Sequence, residues 1–280
     1  MFRFRTPDGI FNIMSYGGCK MKENVLWAFA ATVITWAVTA LGAATVVFFK
    51  KPKEKILVLM LGFSAGVMIA ASFWSLLEPA INTASKSLNI PAYFVAAIGF
   101  SVGVAFMVLS DKAAAVFNGS KPDHSRKNRV FMLFMSITLH NIPEGLAIGV
   151  AFGSIGSGND EALVGALTLA LGIAIQNFPE GAAVSLPLRK EGYSRRKSFM
   201  LGQASALVEP IAGVIGAALV VYVKNILPYA LAFAAGAMVL VAVHEIIPEC
   251  QSYKDKSPYL ASVGIMAGFL VMMILDVMLG

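Results

Sequence analysis

Two short blocks hold most of the chemistry this sequence can perform. His140-Asn141-Ile142-Pro143-Glu144-Gly145 is followed 36 residues on by Gln176-Asn177-Phe178-Pro179-Glu180-Gly181, so one pattern of polar residue, Asn, apolar residue, Pro, Glu and Gly occurs twice. Both blocks sit in the middle of long apolar runs, where an ionisable side chain is costly and marks a functional site by default. His140 and Glu144 are four residues apart and Asn141 and Glu144 three apart, so a helix puts them on one face. Gln176, Asn177 and Glu180 repeat that geometry. Pro143 has no N–H for the Leu139 carbonyl and Pro179 none for that of Ile175, so each helix is expected to kink and free a carbonyl beside its carboxylate. Glu209, followed by Pro210 in a third apolar run, adds another carboxylate at similar depth. Imidazole, carboxylate and amide oxygen together outline a cation site. Imidazole with carboxylate suits Zn²⁺, Fe²⁺, Mn²⁺ or Co²⁺ better than Mg²⁺ or Ca²⁺, which prefer oxygen shells. No cysteine lies at this depth, so a tight thiolate site is absent. A moderate site is what an ion needs if it must also leave. Buried glutamates can instead serve as hydrogen-bonding glue between helices. Three at one depth, two of them in matching proline blocks, favour the cation site.

The surrounding sequence is that of an all-α integral membrane protein. Of 280 residues, 58% are hydrophobic and 14% charged, and the mean hydropathy is +0.74. Soluble domains are nearer half apolar and a quarter charged. Runs of roughly 20 apolar residues, the length a bilayer requires, are expected at about 25–49, 56–80, 92–110, 130–153, 162–186, 199–222, 227–249 and 258–279. These eight spans form one eight-helix domain over 25–280, after an N-terminal tail over 1–24 in which no signal peptide is read. The net charge of +6 is no nucleic-acid signal, because the basic residues cluster between apolar runs. Of the 22 Lys and Arg, 16 fall in the loops after the first, third, fifth and seventh spans and 6 on the other side. The richer side is cytoplasmic, so both termini face outward. Residues 111–129 form the longest connection, a basic cytoplasmic loop in which His124 reads as a solvated histidine. Cys19 and Cys250 fall on opposite sides of the membrane, which argues against a disulfide.

A second repeat relates the second and seventh spans. Phe63-Ser-Ala-Gly66-Val-Met68 matches Phe233-Ala-Ala-Gly236-Ala-Met238. Ser75, Glu78 and Pro79 follow the first copy, and His244, Glu245, Pro248 and Glu249 follow the second. Spans one to three and six to eight are then related triplets around a central pair, a 3+2+3 arrangement. An odd number of spans per triplet with two between inserts the triplets in opposite senses. Inverted repeats about a midplane site are a mark of secondary transporters.

The paired blocks resemble the fourth- and fifth-span signatures of the ZIP (Zrt-, Irt-like) metal transporters, closest to the bacterial GufA-like branch, and the resemblance covers nearly the whole chain. It implies a multi-pass cell (inner) membrane protein that moves divalent metal, chiefly Zn²⁺, into the cytoplasm as substrate rather than catalytic cofactor. It implies two neighbouring mid-membrane positions. Met68, His140, Glu144, Gln176 and Glu180 would form one, and Asn141, Glu144, Asn177, Glu180 and Glu209 the other, with Glu144 and Glu180 bridging. It places His244, Glu245 and Glu249 at the inner release region and Ser75 and Asp276 at the outer entrance. Relatives are thought to move one helix bundle against another in an elevator-like step, often as dimers, so a homodimer is expected. Two positions depart from the pattern: many relatives have His at Gln176 and several have an acid at Asn177. Those changes leave Zn²⁺, Fe²⁺, Mn²⁺ and Cd²⁺ open as cargo.

Two rival classes are weaker. An intramembrane metal hydrolase should carry a zinc motif such as His-Glu-x-x-His, but His244-Glu245 is followed by Pro248 where the second His would stand. A carrier of an organic anion should place Arg or half-helix amino ends within the membrane, and no Arg lies inside a span. The topology gives the first test. A membrane-impermeant thiol reagent should label Cys19 in intact cells; labelling only after lysis, with burial controlled for, reverses the orientation.

Overall fold

The computed structural model describes residues 8–48, 54–117, 126–155, 160–252 and 259–279. His124, with most of the polar part of the expected 111–129 loop, lies outside them, as do Lys50, Lys51, Lys53, Tyr253, Lys254, Lys256 and the side chain of Cys19. The described residues are helical throughout and contain no strand. The helices are α1 (Asp8–Ala44), α2 (Glu54–Ala71), α3 (Glu78–Ser87), α4 (Ala92–Phe117), α5 (Arg126–Gly153), α6 (Asp160–Lys190), α7 (Arg195–Ala204), α8 (Val208–Tyr222), α9 (Leu227–Val241), α10 (Ile247–Ser252) and α11 (Leu260–Leu279). Two differences from the expected boundaries stand out. The first helix begins at Asp8 rather than near residue 25, and α4 and α5 extend into the stretch expected as a loop from 111 to 129.

Among the described residues, seven helical segments are long and apolar enough to cross a membrane. The remaining expected span falls on α5, which is 28 residues long. Arg126, Lys127 and Arg129 at its start and His140, Asn141 and Glu144 along its length make it more polar than the rest. Burial is inverted relative to a soluble protein. Leu26, Trp27, Ile34, Leu41, Phe94, Leu109, Ile211 and Val277 are exposed, while Glu144, Gln176, Asn177 and Glu209 are wholly buried. An apolar exterior around a polar interior is what hydrocarbon as solvent demands.

The core is held by helix pairs that glycine lets approach closely. α1 packs on α6, α5 on α8, α2 on α11 and α4 on α9. A Cβ on Gly181 of α6 would stand 2.0 Å from the Thr39 carbonyl oxygen of α1. On Gly66 it would be 2.0 Å from the Ile265 oxygen of α11, and on Gly236 2.1 Å from that of Phe100 in α4. Such contacts supply the dispersion that drives helix association where lipid removes the hydrophobic term. Gly66 and Gly236 are equivalent positions of the Phe-x-Ala-Gly-x-Met repeat. The equivalence continues: α2 runs into a π-helical segment, Ser72–Leu77, and α9 into another, Ala242–Ile246. Each begins four residues after the repeat methionine, Met68 or Met238. A π segment widens the turn, and such segments often occur at functional sites; these two contain Ser75, His244 and Glu245.

One turn sets the entry of the chain into the site. After α6, Gly192 takes a φ of 86°, a left-handed conformation that glycine adopts at little cost, and Tyr193 N–H donates to Leu188 O at 3.1 Å. Ser194 then caps α7 by accepting from Lys197 N–H at 3.2 Å. The helix path breaks over 205–207 before α8 starts, which puts Glu209 in the first turn of α8. The glycine contacts predict an asymmetric response to added side chains. Gly181→Val should lower stability by about 1–3 kcal/mol or more, as overpacking does, and Gly165→Ala, where nothing lies within 4 Å of the new carbon, should not destabilise. Thermal unfolding midpoints of the two variants in detergent check this; equal midpoints contradict the packing.

Candidate functional site: a mid-membrane cluster of carboxylates and amides

The two Pro-Glu-Gly blocks do two jobs at once. In each, the glycine next to the glutamate brings in a neighbouring helix. A Cβ on Gly145 would lie 2.5 Å from the Glu209 carbonyl oxygen of α8, while Gly181 abuts α1. The site is therefore assembled from α5, α6, α8 and α1, with α2 along one side. His140, Asn141, Glu144, Gln176, Asn177, Glu180 and Glu209 are all buried. Glu144 is within electrostatic range of both Glu180 and Glu209, and Glu180 within range of His140.

Each carboxylate is held by a neutral donor from another helix. Gln176 Nε2 donates to Glu144 Oε1 at 2.7 Å. Ser64 Oγ of α2 donates to Glu180 Oε1 at 2.8 Å. Glu209 accepts from Asn177 Nδ2 at both oxygens, at 2.9 and 3.1 Å, and from Thr35 Oγ1 of α1 at 2.5 Å. Asn141 Nδ2 donates to the Ser205 carbonyl at 3.0 Å, at the break before α8. His140 Nε2 pairs with Glu245 Oε2 at 2.6 Å, which ties α5 to the π segment after α9.

Five buried site oxygens have no hydrogen-bond partner: Asn141 Oδ1, Glu144 Oε2, Gln176 Oε1, Asn177 Oδ1 and Glu180 Oε2. Buried polar atoms are nearly always paired, and leaving one unpaired costs roughly 1–3 kcal/mol. All five are acceptors, the chemistry a cation satisfies. Among the described residues no three His, Cys, Asp or Glu form a preassembled metal cluster. The amide and hydroxyl donors occupy one oxygen each of Glu144 and Glu180 and both oxygens of Glu209.

The other expected residues fall in three places. Met68 is fully buried in α2, one turn beyond Ser64 on the same face, with its carbonyl accepting from Ser72 Oγ at 2.7 Å. Ser75 and Asp276 are brought together, Oγ to Oδ1 at 2.5 Å. They line a cavity of about 690 Å³ with Glu78, Asn82, Lys86 and Glu161. Asp276 Oδ2 is also without a partner. His244 and Glu249 are exposed and Glu245 is half-buried. Asp111 of α4 lies within electrostatic range of Glu245, His140 and His244. Sequence reasoning missed Ser64, Thr35 and Asp111. A signal for Thr35 existed: Thr32, Thr35 and Thr39 form a buried polar stripe at helical spacing in an otherwise apolar span.

A many-helix membrane protein with a buried cluster of carboxylates, amides and one imidazole has a donor set compatible with a cation. Comparison with known proteins makes the class specific. The sequence model of the family described as ZIP Zinc transporter matches residues 110–276. Zinc transporter ZIP11 of Homo sapiens is 39% identical over 92% of this chain and 98% of that protein. Zinc transporter ZIPB of Bordetella bronchiseptica is 37% identical over 92% and 83%, and zinc transporter GufA of Myxococcus xanthus is 36% identical over 55% and 57%. The chain belongs to the ZIP family. It stands among transporters, not enzymes, which removes the hydrolase reading.

The site predicts two loss-of-function variants. Glu144→Ala and Glu180→Ala should each reduce metal transport to background while the protein still inserts, because each removes a carboxylate that no neighbouring residue can replace. Initial rates in vesicles, normalised to inserted protein, check this; half the parent rate or more in either variant overturns the assignment.

Proposed function

We propose that this protein carries divalent metal, Zn²⁺ first, across the cell (inner) membrane into the cytoplasm through the cluster on α5, α6 and α8. The five unpartnered acceptor oxygens support this reading more than any other observation. All five are acceptors, and no Lys or Arg is buried beside them among the described residues to supply the positive charge. The names of the relatives support zinc as cargo.

In this reading α5 is the eighth span, with its polar face turned inward. The site has two adjoining positions, one on His140, Glu144, Gln176, Glu180 and Met68, the other on Asn141, Glu144, Asn177, Glu180 and Glu209. Metal enters past Asp276 and Ser75 at the outer cavity and leaves past Glu245, His244 and Glu249, and the His140–Glu245 contact links site and exit. Both termini lie outside. The spans follow a 3+2+3 order with inverted triplets, which the packing supports: exchanging the triplets and the central pair turns the α2–α11 contact into α9–α4 and the α1–α6 contact into α8–α5. Contacts of α1 with α8 and α5, and of the α2–α3 run with the α9–α10 run, draw these pairs into two groups, α1, α5, α6 and α8 and α2, α4, α9 and α11, which meet where α2 packs on α6 and α5 on α9, so an elevator-like step would carry all the carboxylates of the cluster on one bundle. A homodimer is part of the same proposal. Gln176 and Asn177 weaken the ligand set relative to His and acid, which favours a broad cargo that includes Fe²⁺, Mn²⁺ and Cd²⁺.

Radioactive zinc uptake into proteoliposomes holding only this protein tests the reading, with and without a pH gradient and with Fe²⁺, Mn²⁺ or Cd²⁺ as competitors. Saturable uptake, lost in Glu144→Ala, is expected. Flux no greater than that of protein-free vesicles under every gradient contradicts it.

A further inference from the structure

The two positions of the site are not in the same condition. Glu144 Oε2 and Glu180 Oε2, shared by both positions, are open, as are Gln176 Oε1 in one and Asn141 Oδ1 and Asn177 Oδ1 in the other, so the difference lies in Glu209. Around Glu209 both carboxylate oxygens are taken. The Asn177 amide nitrogen sits astride them, at 2.9 and 3.1 Å, where a chelated cation would sit. Thr35 Oγ1 closes Oε2 from the other side at 2.5 Å. The carbonyl of the same residue accepts from Asn177 Nδ2 at 3.3 Å. Thr35 thus acts twice: its hydroxyl fills Glu209, and its carbonyl holds Asn177 with nitrogen rather than oxygen toward Glu209. The residue is 1% exposed, so both bonds are buried. Its own alternative acceptor, Thr32 O, lies at 3.0 Å, and a hydrogen bond to a carboxylate is the stronger choice.

We infer that Thr35 is a positioning residue that keeps the Glu209 position closed, so that the site takes one divalent cation readily and a second only after the Thr35–Glu209–Asn177 bonds are broken. The inference rests on the transport site proposed above and specifies its loading. Valine has nearly the shape of threonine without the donor, so Thr35→Val removes the Glu209 bond with little change in volume, and Thr35→Ser restores the hydroxyl.

Titration of the purified protein with Co²⁺, read by its visible absorption, and with Zn²⁺, read by calorimetry, separates the outcomes. The parent should bind one ion tightly and a second weakly. In Thr35→Val the second step should tighten about tenfold, on the scale of one charge-assisted hydrogen bond, with a second Co²⁺ spectrum appearing at stoichiometric metal; Thr35→Ser should behave as the parent. Thr35→Ala gives the same test should valine disturb folding. Two equally tight ions in the parent overturn the inference. So does an unchanged second step in the variants, or a weaker one, which would make Thr35 a ligand. No ion bound by the parent would instead overturn the transport-site reading itself.

Discussion

Three carboxylates buried within a bilayer-spanning bundle are the constraint around which this structure is built. Removing a charge from water costs several kcal/mol even after relaxation, and among the described residues no Lys or Arg is buried beside these three. Each glutamate instead takes a neutral donor from a different helix: Glu144 from α6, Glu180 from α2, and Glu209 from α6 and α1. These donors fix the helices relative to one another and stop short of neutralising them. A polar network that is only partly satisfied is a high-energy feature, and it makes sense where a cation completes it.

Packing then follows from the need to bring the donors within reach. The glycines that follow Glu144 and Glu180 let α8 and α1 approach at backbone distance, close enough for Thr35 and Asn177 to meet Glu209. Backbone-to-backbone glycine contacts join α1 with α6, α5 with α8, α2 with α11 and α4 with α9. Where α6 meets α11, by contrast, Gly172 faces the Met272 side chain. Methionine adapts its shape readily, so this contact sets an adaptable side chain, not a second backbone, against the glycine.

Much of this was legible because the chemistry-bearing residues contrast so sharply with their apolar surroundings. His140, Glu144, Glu180 and Glu209 stand out in any apolar run, and helical spacing alone places Asn141 and Glu144 on a shared face. The helices themselves were legible at the resolution of a few residues, except where composition is mixed: α1 extends back to Asp8 through polar sequence, and α4 and α5 run into the basic stretch. Ser64 was not legible as a site partner, and Thr35 only as one member of a threonine stripe. A hydroxyl in a membrane helix ordinarily bonds its own preceding turn, as Thr32 does to Ala28 O at 2.8 Å, and only the tertiary pairing shows which one turns outward. The π segments were hidden for a similar reason: the repeat that precedes them was visible, but an extra residue in a turn leaves no compositional trace.

The central claim is that a divalent cation sits among Glu144, Gln176 and Glu180. Anomalous diffraction at the zinc edge from crystals grown with Zn²⁺ tests it most directly. The account predicts a peak bonded to Glu144 and Glu180, with the Gln176 oxygen or His140 within ligand distance. Strong zinc peaks elsewhere in the protein, with none between these two glutamates at saturating metal, would contradict it.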